Sequence, residues 1–380
     1  MNPDQFAPRR RWRVAVVGAG YFSQFHLQAW AGMPDVDIVG LCDTDPARAD
    51  ALGQRFGIPE RFTQAQSMLD ACAPDLVDVV LPPAHQADVL EAVVKRRLSA
   101  ICQKPFGTSF QQAADFAAAA TDAGSLLVVH ENFRFMPWFR EAHRFIHSGE
   151  LGTLHGVSFR LRPGDGQGAD AYLNRQPYFQ TMPRLLVVET AIHFIDCFRY
   201  LAGEVVAVYA RLRRLNPVIR GEDAALITFE FSNGASGLFD GNRLNDHVAD
   251  NPRRTMGEMW LEGSNGVLRL DGDARLWWKP HHGHEMRHAY PGAGIDGFGG
   301  GACAALQRHV IDCLANGSQP ENTACAYLDN LRLQEAVYQS HQTGRRVDLA
   351  DFKPAPAEPA DHPLFPPPLQ KETLCATTPP

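Results

Sequence analysis

The chain has 380 residues, of which 45% are hydrophobic, and this is enough to bury two cores. The formal net charge of −7 and the lack of a basic stripe argue against a surface that binds nucleic acid. No apolar run approaches about 18 residues, the N-terminus lacks an apolar leader, and the eight cysteines show no C-x-x-C spacing. We therefore expect a cytoplasmic protein with reduced thiols that binds neither nucleic acid nor membrane.

The first informative pattern is a buried strand at residues 14–17, followed by a glycine turn and a helix that begins near Phe22. In such a turn Gly18 reverses the chain, and Gly20 lets backbone N–H groups approach a pyrophosphate at the N-terminus of the helix. The sequence thus predicts a dinucleotide site that includes Gly18, Gly20, Tyr21 and Phe22.

A second predicted strand, residues 36–42, ends at Asp43, which lies 25 residues after Gly18. A carboxylate at this place accepts hydrogen bonds from the adenosine ribose and repels a 2′-phosphate, which favours NAD as the cofactor and makes NADP the weaker ligand. Arg48, five residues later, could soften that preference. A helix-capping or solvated role is the alternative for Asp43.

Strand and helix patterns alternate up to about residue 130. Strands are predicted at 61–62, 76–81, 100–103 and 126–130, and helices at 46–56, 68–72, 86–97 and 111–123. This order is typical of a doubly wound parallel sheet. We therefore predict an α/β fold whose N-terminal Rossmann domain covers residues 1–131.

The pattern changes after Asn132. Six alternating stretches between residues 157 and 270 indicate an open, mainly antiparallel sheet, and helices are predicted at 137–148, 189–201, 301–315 and 323–343. We assign residues 132–350 to an α+β domain for substrate binding and oligomerisation, because one face of its sheet would need cover from a second subunit in a homodimer or homotetramer. Residues 351–380 contain nine prolines and form a separate Pro-rich tail.

Four segments together carry a family resemblance: the glycine turn, residues 103–106 (Gln-Lys-Pro-Phe), 130–135 (His-Glu-Asn-Phe-Arg-Phe) and 189–196. In order and spacing they resemble the Gfo/Idh/MocA oxidoreductases over roughly residues 12–350. The resemblance implies an NAD(P)-dependent enzyme acting on sugars, inositols and related polyols, with a second domain that often mediates dimers or tetramers. The segments at 103–106 and 130–135, with Arg-Gly-Glu-Asp at 220–223, are most similar to the D-apiose dehydrogenase group of that family.

The chain departs from the family's usual signature at two places. Gln103 replaces the glutamate of Glu-Lys-Pro, and Glu189 with Ala191 replaces the aspartate and glycine of Asp-x-Gly-x-His. These departures leave open a second interpretation, a dinucleotide-binding sensor or regulator without catalysis. The presence of Lys104 and His193 argues for an enzyme.

Removal of a hydride from a carbinol carbon requires a base for the hydroxyl proton and a group that stabilises charge on the oxygen. Lys104 lies beyond the carboxyl end of a predicted strand, where open α/β sheets bind ligands. It could hydrogen-bond both the reacting hydroxyl and the nicotinamide, and Pro105, expected in the cis form as in the family, would fix its turn. His193 is the better base near neutral pH. We expect oxidation of a cyclic aldose at C1 to the lactone, with Pro82, Lys104 and Pro105 also contacting the cofactor.

Glu189 precedes His193 by four residues on a predicted helix, so the two side chains should lie on the same face. Glu189 could orient the His193 ring, raise its basicity or bind a substrate hydroxyl. Asn132 and Arg134 are further predicted substrate ligands, with a structural ion pair as the alternative for Arg134. Glu189, His193 and Asp196 could also suit a metal ion. Hydride transfer to a nicotinamide needs none, and we predict no metal.

Two more segments contain residue types that suit a functional role. Residues 162–168 are rich in glycine and could form a lid, and Tyr172 and Tyr178 could stack on a sugar face, although a plain surface loop explains both equally well. The four histidines at 281–288 are irregularly spaced among glycine and proline, which favours a solvated loop over a metal site.

Overall fold

The structure, a computed structural model, describes residues 10–295 and 298–355. Its first sheet is parallel and has the strand order β3-β2-β1-β4-β5-β6. The strands are β1 (Trp12–Val17), β2 (Val36–Cys42), β3 (Arg61–Phe62), β4 (Leu76–Val79), β5 (Ser99–Gln103) and β6 (Leu127–His130). This sheet confirms the predicted Rossmann architecture. Strands β4 and β6 are buried along their whole length, as expected for a parallel sheet whose faces are covered by helices.

Five helices connect these strands: α1 (Ser23–Ala31), α2 (Pro46–Arg55), α3 (Ala65–Cys72), α4 (Ala87–Lys95) and α5 (Phe110–Ala123). Local sequence explains several of their ends. The Asp45 carboxylate accepts the Ala47 N–H at the start of α2, and the Ser109 hydroxyl accepts the Gln112 N–H at the start of α5. Helix α5 ends at Gly124, which has the left-handed conformation.

The second sheet has nine strands in the order β14-β13-β12-β11-β7-β10-β9-β8-β15. Pairing is antiparallel except between β7 and β10, which confirms an open and mainly antiparallel sheet. The strands are β7 (Leu154–Leu161), β8 (Val205–Arg213), β9 (Ala224–Phe231), β10 (Ser236–Asn242), β11 (Gly257–Gly263), β12 (Gly266–Leu270), β13 (Leu276–Pro280), β14 (Met286–His288) and β15 (Val347–Asp348). The last three were not expected, because they are short and lack clear alternation. The histidine run at 281–288 spans the turn between β13 and β14 and β14 itself.

Four more helices complete the described part of the chain: α6 (Pro137–His147), α7 (Ile192–Ala202), α8 (Ala302–Asn316) and α9 (Ala324–Thr343). Helix α8 contacts α1, and α9 contacts both α5 and α7, so these C-terminal helices join the two sheets. One hydrophobic cluster accordingly runs through both sheets. The boundary at 131/132 stays a prediction, and most of the expected Pro-rich tail, residues 356–380, lies outside the described residues.

The outer face of the second sheet carries exposed apolar side chains. Registered neighbours across five strands place Trp260, Leu238 and Tyr209 in one row, with Leu226 beside it. The helices in residues 10–295 and 298–355 do not combine the length and hydrophobicity needed to cross a lipid bilayer.

Candidate active site

A cleft of about 430 Å³ lies at the carboxyl ends of β1, β4, β5 and β6, the edge where open parallel sheets bind ligands. Its opposite wall comes from the segments around residues 163–179 and 189–193 and from the loop that follows β10. The cleft brings together most of the predicted site residues, including Gly20, Tyr21, Phe22, Pro82, Lys104, Pro105, Asn132, Glu189 and His193.

The glycine turn has the geometry of a dinucleotide cradle. Gly18 has a φ of 107°, and a Cβ there would lie 2.3 Å from the Val80 carbonyl oxygen, so only glycine fits. A Cβ on Gly20 would meet nothing within 4 Å among the described residues, which leaves open space beside the N-terminus of α1. The residues therefore fit a bound pyrophosphate.

Asp43 supports this turn from the end of β2. Its carboxylate accepts the Ala19 N–H at 2.7 Å and the Asp45 N–H at 2.9 Å. Arg48 lies 3.3 Å from Asp45 and pairs with that carboxylate. Neither Gly18 nor Asp43 lines the cavity itself, so contact of Asp43 with a ribose stays a prediction.

The Gln103 side chain explains the departure from a glutamate at this position. Its amide oxygen accepts the Lys104 N–H at 2.7 Å, and its Nε2 lies 3.1 Å from His26 Nε2. His26 Nδ1 in turn lies 2.8 Å from the buried Asp78 carboxylate. Since the ring donates to Asp78 through Nδ1, Nε2 must accept from Gln103, and a carboxylate at 103 could not donate. The neutral amide matches a neutral histidine.

Gln86 braces the same turn, and sequence analysis did not identify it. Its amide nitrogen donates to the carbonyls of Gln103 and Pro105, both at 2.9 Å, and its oxygen accepts the Gly107 N–H. The Lys104–Pro105 peptide bond is cis. Gln86 is fully buried, so water cannot replace these contacts.

Lys104 reaches from this turn to the opposite wall of the cleft. Its Nζ donates to Glu189 Oε2 at 2.7 Å and to the Glu189 carbonyl at 2.9 Å. The two side chains are 14% and 9% exposed, so the ion pair is largely shielded from solvent. A cation held in this way remains close enough to the cleft to donate to a substrate oxygen.

The predicted relation between Glu189 and His193 needs correction. Residues Val187–Ala191 form a π-helical turn before α7 begins at Ile192, so a four-residue spacing does not align the two side chains as in an α-helix. Both residues line the cleft, but Glu189 pairs with Lys104, and a different carboxylate contacts the His193 ring.

That carboxylate is Glu131, the residue that follows β6. Its Oε1 lies 2.6 Å from His193 Nδ1, and the ring stacks on Phe133 with centroids 3.8 Å apart and planes 5° apart. Burial raises the pKa of Glu131, but the nearby His193 and Lys104 outweigh this effect, so the pKa is lowered and the ionised carboxylate is favoured. Sequence analysis overlooked Glu131, although it stands inside a segment that carried the family resemblance.

Asn132 and Arg134 have different environments in the structure. Asn132 lines the cleft, and its amide contacts Cys303 Sγ at 3.4 Å. Arg134 does not line the cleft; it donates to both oxygens of Asp196, at 2.6 and 2.7 Å, and contacts Glu321. These contacts favour the alternative in which Arg134 forms a structural ion pair. Because Asp196 is engaged in that pair, it is not available to bind a metal ion together with Glu189 and His193. The described residues contain no group of three or more side chains suited to hold a metal ion.

The remaining polar wall comes from the segment expected to be a lid. Asp165 accepts from Arg243 at 2.6 and 3.0 Å and from Arg175 at 3.0 Å, and Arg243 also donates to the Thr190 hydroxyl. Burial raises the pKa of Asp165, but the two guanidinium groups lower it by a larger amount. The net effect is a lowered pKa. Tyr178 lines the cleft, whereas Tyr172 packs beside Phe179. Sequence analysis missed Arg243, which lies about 80 residues from its partner.

Comparisons with known proteins identify the family of the chain. The model of the oxidoreductase family with an NAD-binding Rossmann fold matches residues 12–131, and that of the GFO/IDH/MocA C-terminal domain matches residues 139–269. D-apiose dehydrogenase of Paraburkholderia graminis is 34% identical over 351 residues, which cover 90% of this chain and 91% of that protein. D-apiose dehydrogenase of Rhizobium rhizogenes is 28% identical, with 88% and 96% covered.

Among solved structures, an oxidoreductase from Agrobacterium radiobacter in complex with NAD+, L-tartaric acid and magnesium has a TM-score of 0.82 and 27% identity, with 89% of this chain and 98% of that chain covered. Levoglucosan dehydrogenase in complex with NADH and levoglucosan has a TM-score of 0.78 at 19% identity, with 90% and 100% covered, and so shares the fold. The chain therefore belongs to the Gfo/Idh/MocA family of oxidoreductases and is an NAD-binding enzyme that acts on CH–OH donors.

Proposed function

We propose that this enzyme oxidises a cyclic aldose at C1 to the corresponding lactone, with Lys104 and His193 acting at the reacting carbon. The observation that carries the proposal is the convergence of these two side chains, from opposite walls, on the cleft beside the glycine cradle. Relatives named D-apiose dehydrogenase and inositol 2-dehydrogenase support a small polyhydroxylated substrate.

The ring of His193 is arranged to take the hydroxyl proton. Its Nδ1 is engaged by Glu131, while Nε2 has no hydrogen-bond partner among the described residues. An ionised Glu131 accepts the Nδ1–H, which leaves Nε2 as the basic atom. Proton transfer from the substrate hydroxyl to Nε2 therefore needs no rearrangement of the ring.

Lys104 holds the substrate oxygen. Its Nζ has three N–H bonds, of which two are directed to Glu189, so one donor is available for the oxygen that loses its proton. The positive charge stabilises the developing oxyanion. Glu189 balances that charge and fixes the side chain, and its carboxylate is in place to accept a second substrate hydroxyl.

Gly20 and Phe22 would hold NAD beside the turn made by Gly18, and the bound nicotinamide would supply the acceptor for the hydride. Pro82 and Pro105 border the same part of the cleft, and Asn132, also in the lining, offers an amide to the substrate. The polar wall of Asp165, Arg175 and Arg243 is then left for the hydroxyls remote from C1.

The test is the appearance of NADH at 340 nm with NAD and a panel of free pentoses, hexoses and inositols. His193→Ala should lower kcat by roughly 10²–10⁴-fold and leave NAD affinity unchanged, because the base is lost while the cofactor contacts remain. Lys104→Ala should cost at least as much and raise the KM for the sugar. His288→Ala, at a histidine on β14 outside the cleft lining, is the matched control.

Two results would contradict the proposal. Near-normal turnover of folded His193→Ala would transfer the base role to Lys104. Binding of NAD without turnover of any sugar or polyol would favour the alternative, a dinucleotide-binding sensor with this fold.

We also propose a homo-oligomer, a dimer or a tetramer, that buries the outer face of the nine-stranded sheet. Trp260 is 44% exposed and Leu226 is 46% exposed on this face. Apolar side chains clustered on one face commonly mark a protein interface.

For localisation we propose the cytoplasm. The seven described cysteines are free, and six of them are buried. Burial raises the pKa of the Cys42 thiol to about 11, which keeps it unreactive. Such thiols suit a reducing compartment.

A further inference from the structure

We propose that Glu131 is a positioning residue: it holds His193 in the tautomer that carries the proton on Nδ1 and thereby presents Nε2 as the base. This inference rests on the proposed function, in which His193 takes the substrate proton. It assigns the orienting role to a carboxylate from the end of β6, and not to Glu189 on the same helical segment as the histidine.

The geometry of the pair is the first argument. The distance of 2.6 Å between Glu131 Oε1 and His193 Nδ1 is that of a strong, charge-assisted hydrogen bond. The Glu131 side chain is fully buried and that of His193 is 8% exposed, so solvent cannot compete for the contact. A carboxylate has no proton to donate, so the ring must donate, and only one neutral tautomer fits.

The surroundings of Glu131 fix the carboxylate itself. Its Oε1 also accepts the Phe133 N–H at 3.3 Å, and its Oε2 accepts the Tyr327 hydroxyl at 3.4 Å. Its backbone carbonyl accepts the Asn322 amide at 2.8 Å. Phe133 belongs to the segment of Glu131 itself, and Asn322 and Tyr327 flank the start of α9, so two separate segments fix the position of Glu131.

Stacking on Phe133 removes the remaining freedom of the ring. A histidine held by one hydrogen bond can still pivot about it, but the Phe133 ring lies nearly parallel to the imidazole at 3.8 Å and defines its plane. One fixed atom and one fixed plane leave a single direction for Nε2. This is the arrangement a base needs for proton transfer from a bound hydroxyl.

The charge of Glu131 supplies a second effect. When Nε2 takes the substrate proton, the ring becomes a cation beside a buried carboxylate, and the attraction stabilises the state formed during the reaction. Glu189 cannot do this, because its Oε2 lies 2.7 Å from the Lys104 ammonium and is engaged there. Each catalytic group thus has its own carboxylate.

The decisive variant is Glu131→Gln in the full-length protein. The amide keeps the size of the side chain but can turn its NH₂ towards Nδ1, which would move the ring proton to Nε2. We expect kcat to fall by about 10²–10⁴-fold, as in triads whose orienting acid is replaced by an amide. The KM for the sugar and the Kd for NAD should change by less than about threefold, since the cleft lining is unaltered.

A spectroscopic measurement reports the tautomer directly. With ¹⁵N-labelled histidine, and with His193→Ala to assign the signal, the native protein should show a protonated Nδ1 and an unprotonated Nε2 at pH 8. Glu131→Gln should show the reverse or a mixture. Glu131→Asp, which retains the charge, should have a kcat at least tenfold higher than that of Glu131→Gln.

The chain provides a control in Glu141, a buried carboxylate outside the cleft lining that contacts His288 and also Arg144. Glu141→Gln removes the charge from the same kind of pair and should leave kcat within about twofold. Thermal melting of all variants separates loss of fold from loss of orientation.

The proposal is overturned if folded Glu131→Gln keeps kcat within about twofold of the native value, or if the native His193 signal shows the proton on Nε2. If no sugar or polyol is turned over, the proposed function fails, but the spectra still decide whether Glu131 sets the tautomer. The two failures are therefore distinguishable.

Discussion

Replacement of Arg134 by methionine distinguishes most clearly between a structural residue and a substrate ligand. The guanidinium of Arg134 donates twice to Asp196, whose side chain is fully buried, and it is itself 13% exposed. After the substitution Asp196 retains, among the residues that the structure describes, one side-chain partner, the Asn330 amide at 2.7 Å. The variant therefore leaves a buried carboxylate without a counter-ion.

The expected loss of stability follows from that charge. Removing one partner of a buried ion pair costs about 3–5 kcal/mol, because the remaining charge has lost both its solvation and its partner. At roughly 2–4 °C per kcal/mol for a domain of about 220 residues, Tm should fall by about 6–20 °C. Replacing both residues, as in Arg134→Met with Asp196→Asn, should recover a large part of the loss, since no buried charge remains.

The loss should also depend on pH. Burial raises the pKa of Asp196 and outweighs the opposing effects of Arg134 and of the Asn330 hydrogen bond, and removal of Arg134 should raise this pKa further. The folded variant then binds a proton at a pH where the unfolded chain, with an aspartate pKa of about 3.9, does not. Stability of the variant should therefore rise as the pH falls from about 8 towards 5, and its gap to the native protein should narrow.

Thermal melting at several pH values and steady-state kinetics at 20 °C are the measurements. We expect the KM for the sugar to change by less than about threefold in the folded variant, because Arg134 does not line the cleft. An unchanged Tm together with a KM raised tenfold or more would refute this reasoning and restore Arg134 as a substrate ligand.

Two further predictions concern the cofactor and the assembly. NAD should bind at least tenfold more tightly than NADP, because a 2′-phosphate near Asp43 would meet a like charge, and this repulsion costs more than about 1 kcal/mol. Asp43→Ser should reduce the ratio of the two affinities. Equal binding of both cofactors by the native enzyme would contradict the prediction. Light scattering at micromolar concentration should show a dimer or tetramer, and Leu226→Glu with Trp260→Glu should yield a folded, smaller species; a native monomer would exclude the proposed interface.

Much of the fold could be predicted from local patterns. The parallel strands have continuous apolar runs, and turn and capping residues such as Asp45, Ser109 and Gly124 mark the helix ends, so single segments identify these elements. Strands β13, β14 and β15 were missed because they contain only two to five residues; β13 and β14 depend on pairing with adjacent strands of the chain, and β15 on pairing with the distant β8. Tertiary contacts, and not local preference, stabilise them.

The site was predictable in its parts but not in its pairings. Lys104 and His193 follow from their chemistry and from the family resemblance, whereas the partner of each depends on where the chain brings distant residues. Glu189 was assigned to His193 from an α-helical spacing, and the π-helical turn at Val187–Ala191 invalidates that spacing. Arg243 was missed for a related reason, since its contact with Asp165 joins two loops.

The two hydrogen-bonded pairs on which the proposed mechanism rests cross between the halves of the molecule in opposite directions. Lys104 follows β5 of the first sheet and is held by Glu189 from the segment before α7, whereas His193 on α7 is held by Glu131 at the end of β6. Each half thus supplies one proton-handling group and the carboxylate that positions the other. Because neither half contains a complete pair, a shift of one half against the other would disturb the lysine and the histidine together. Helices α8 and α9 contact α1 and α5 and so join the two halves, although they contribute no described residue to the cleft lining.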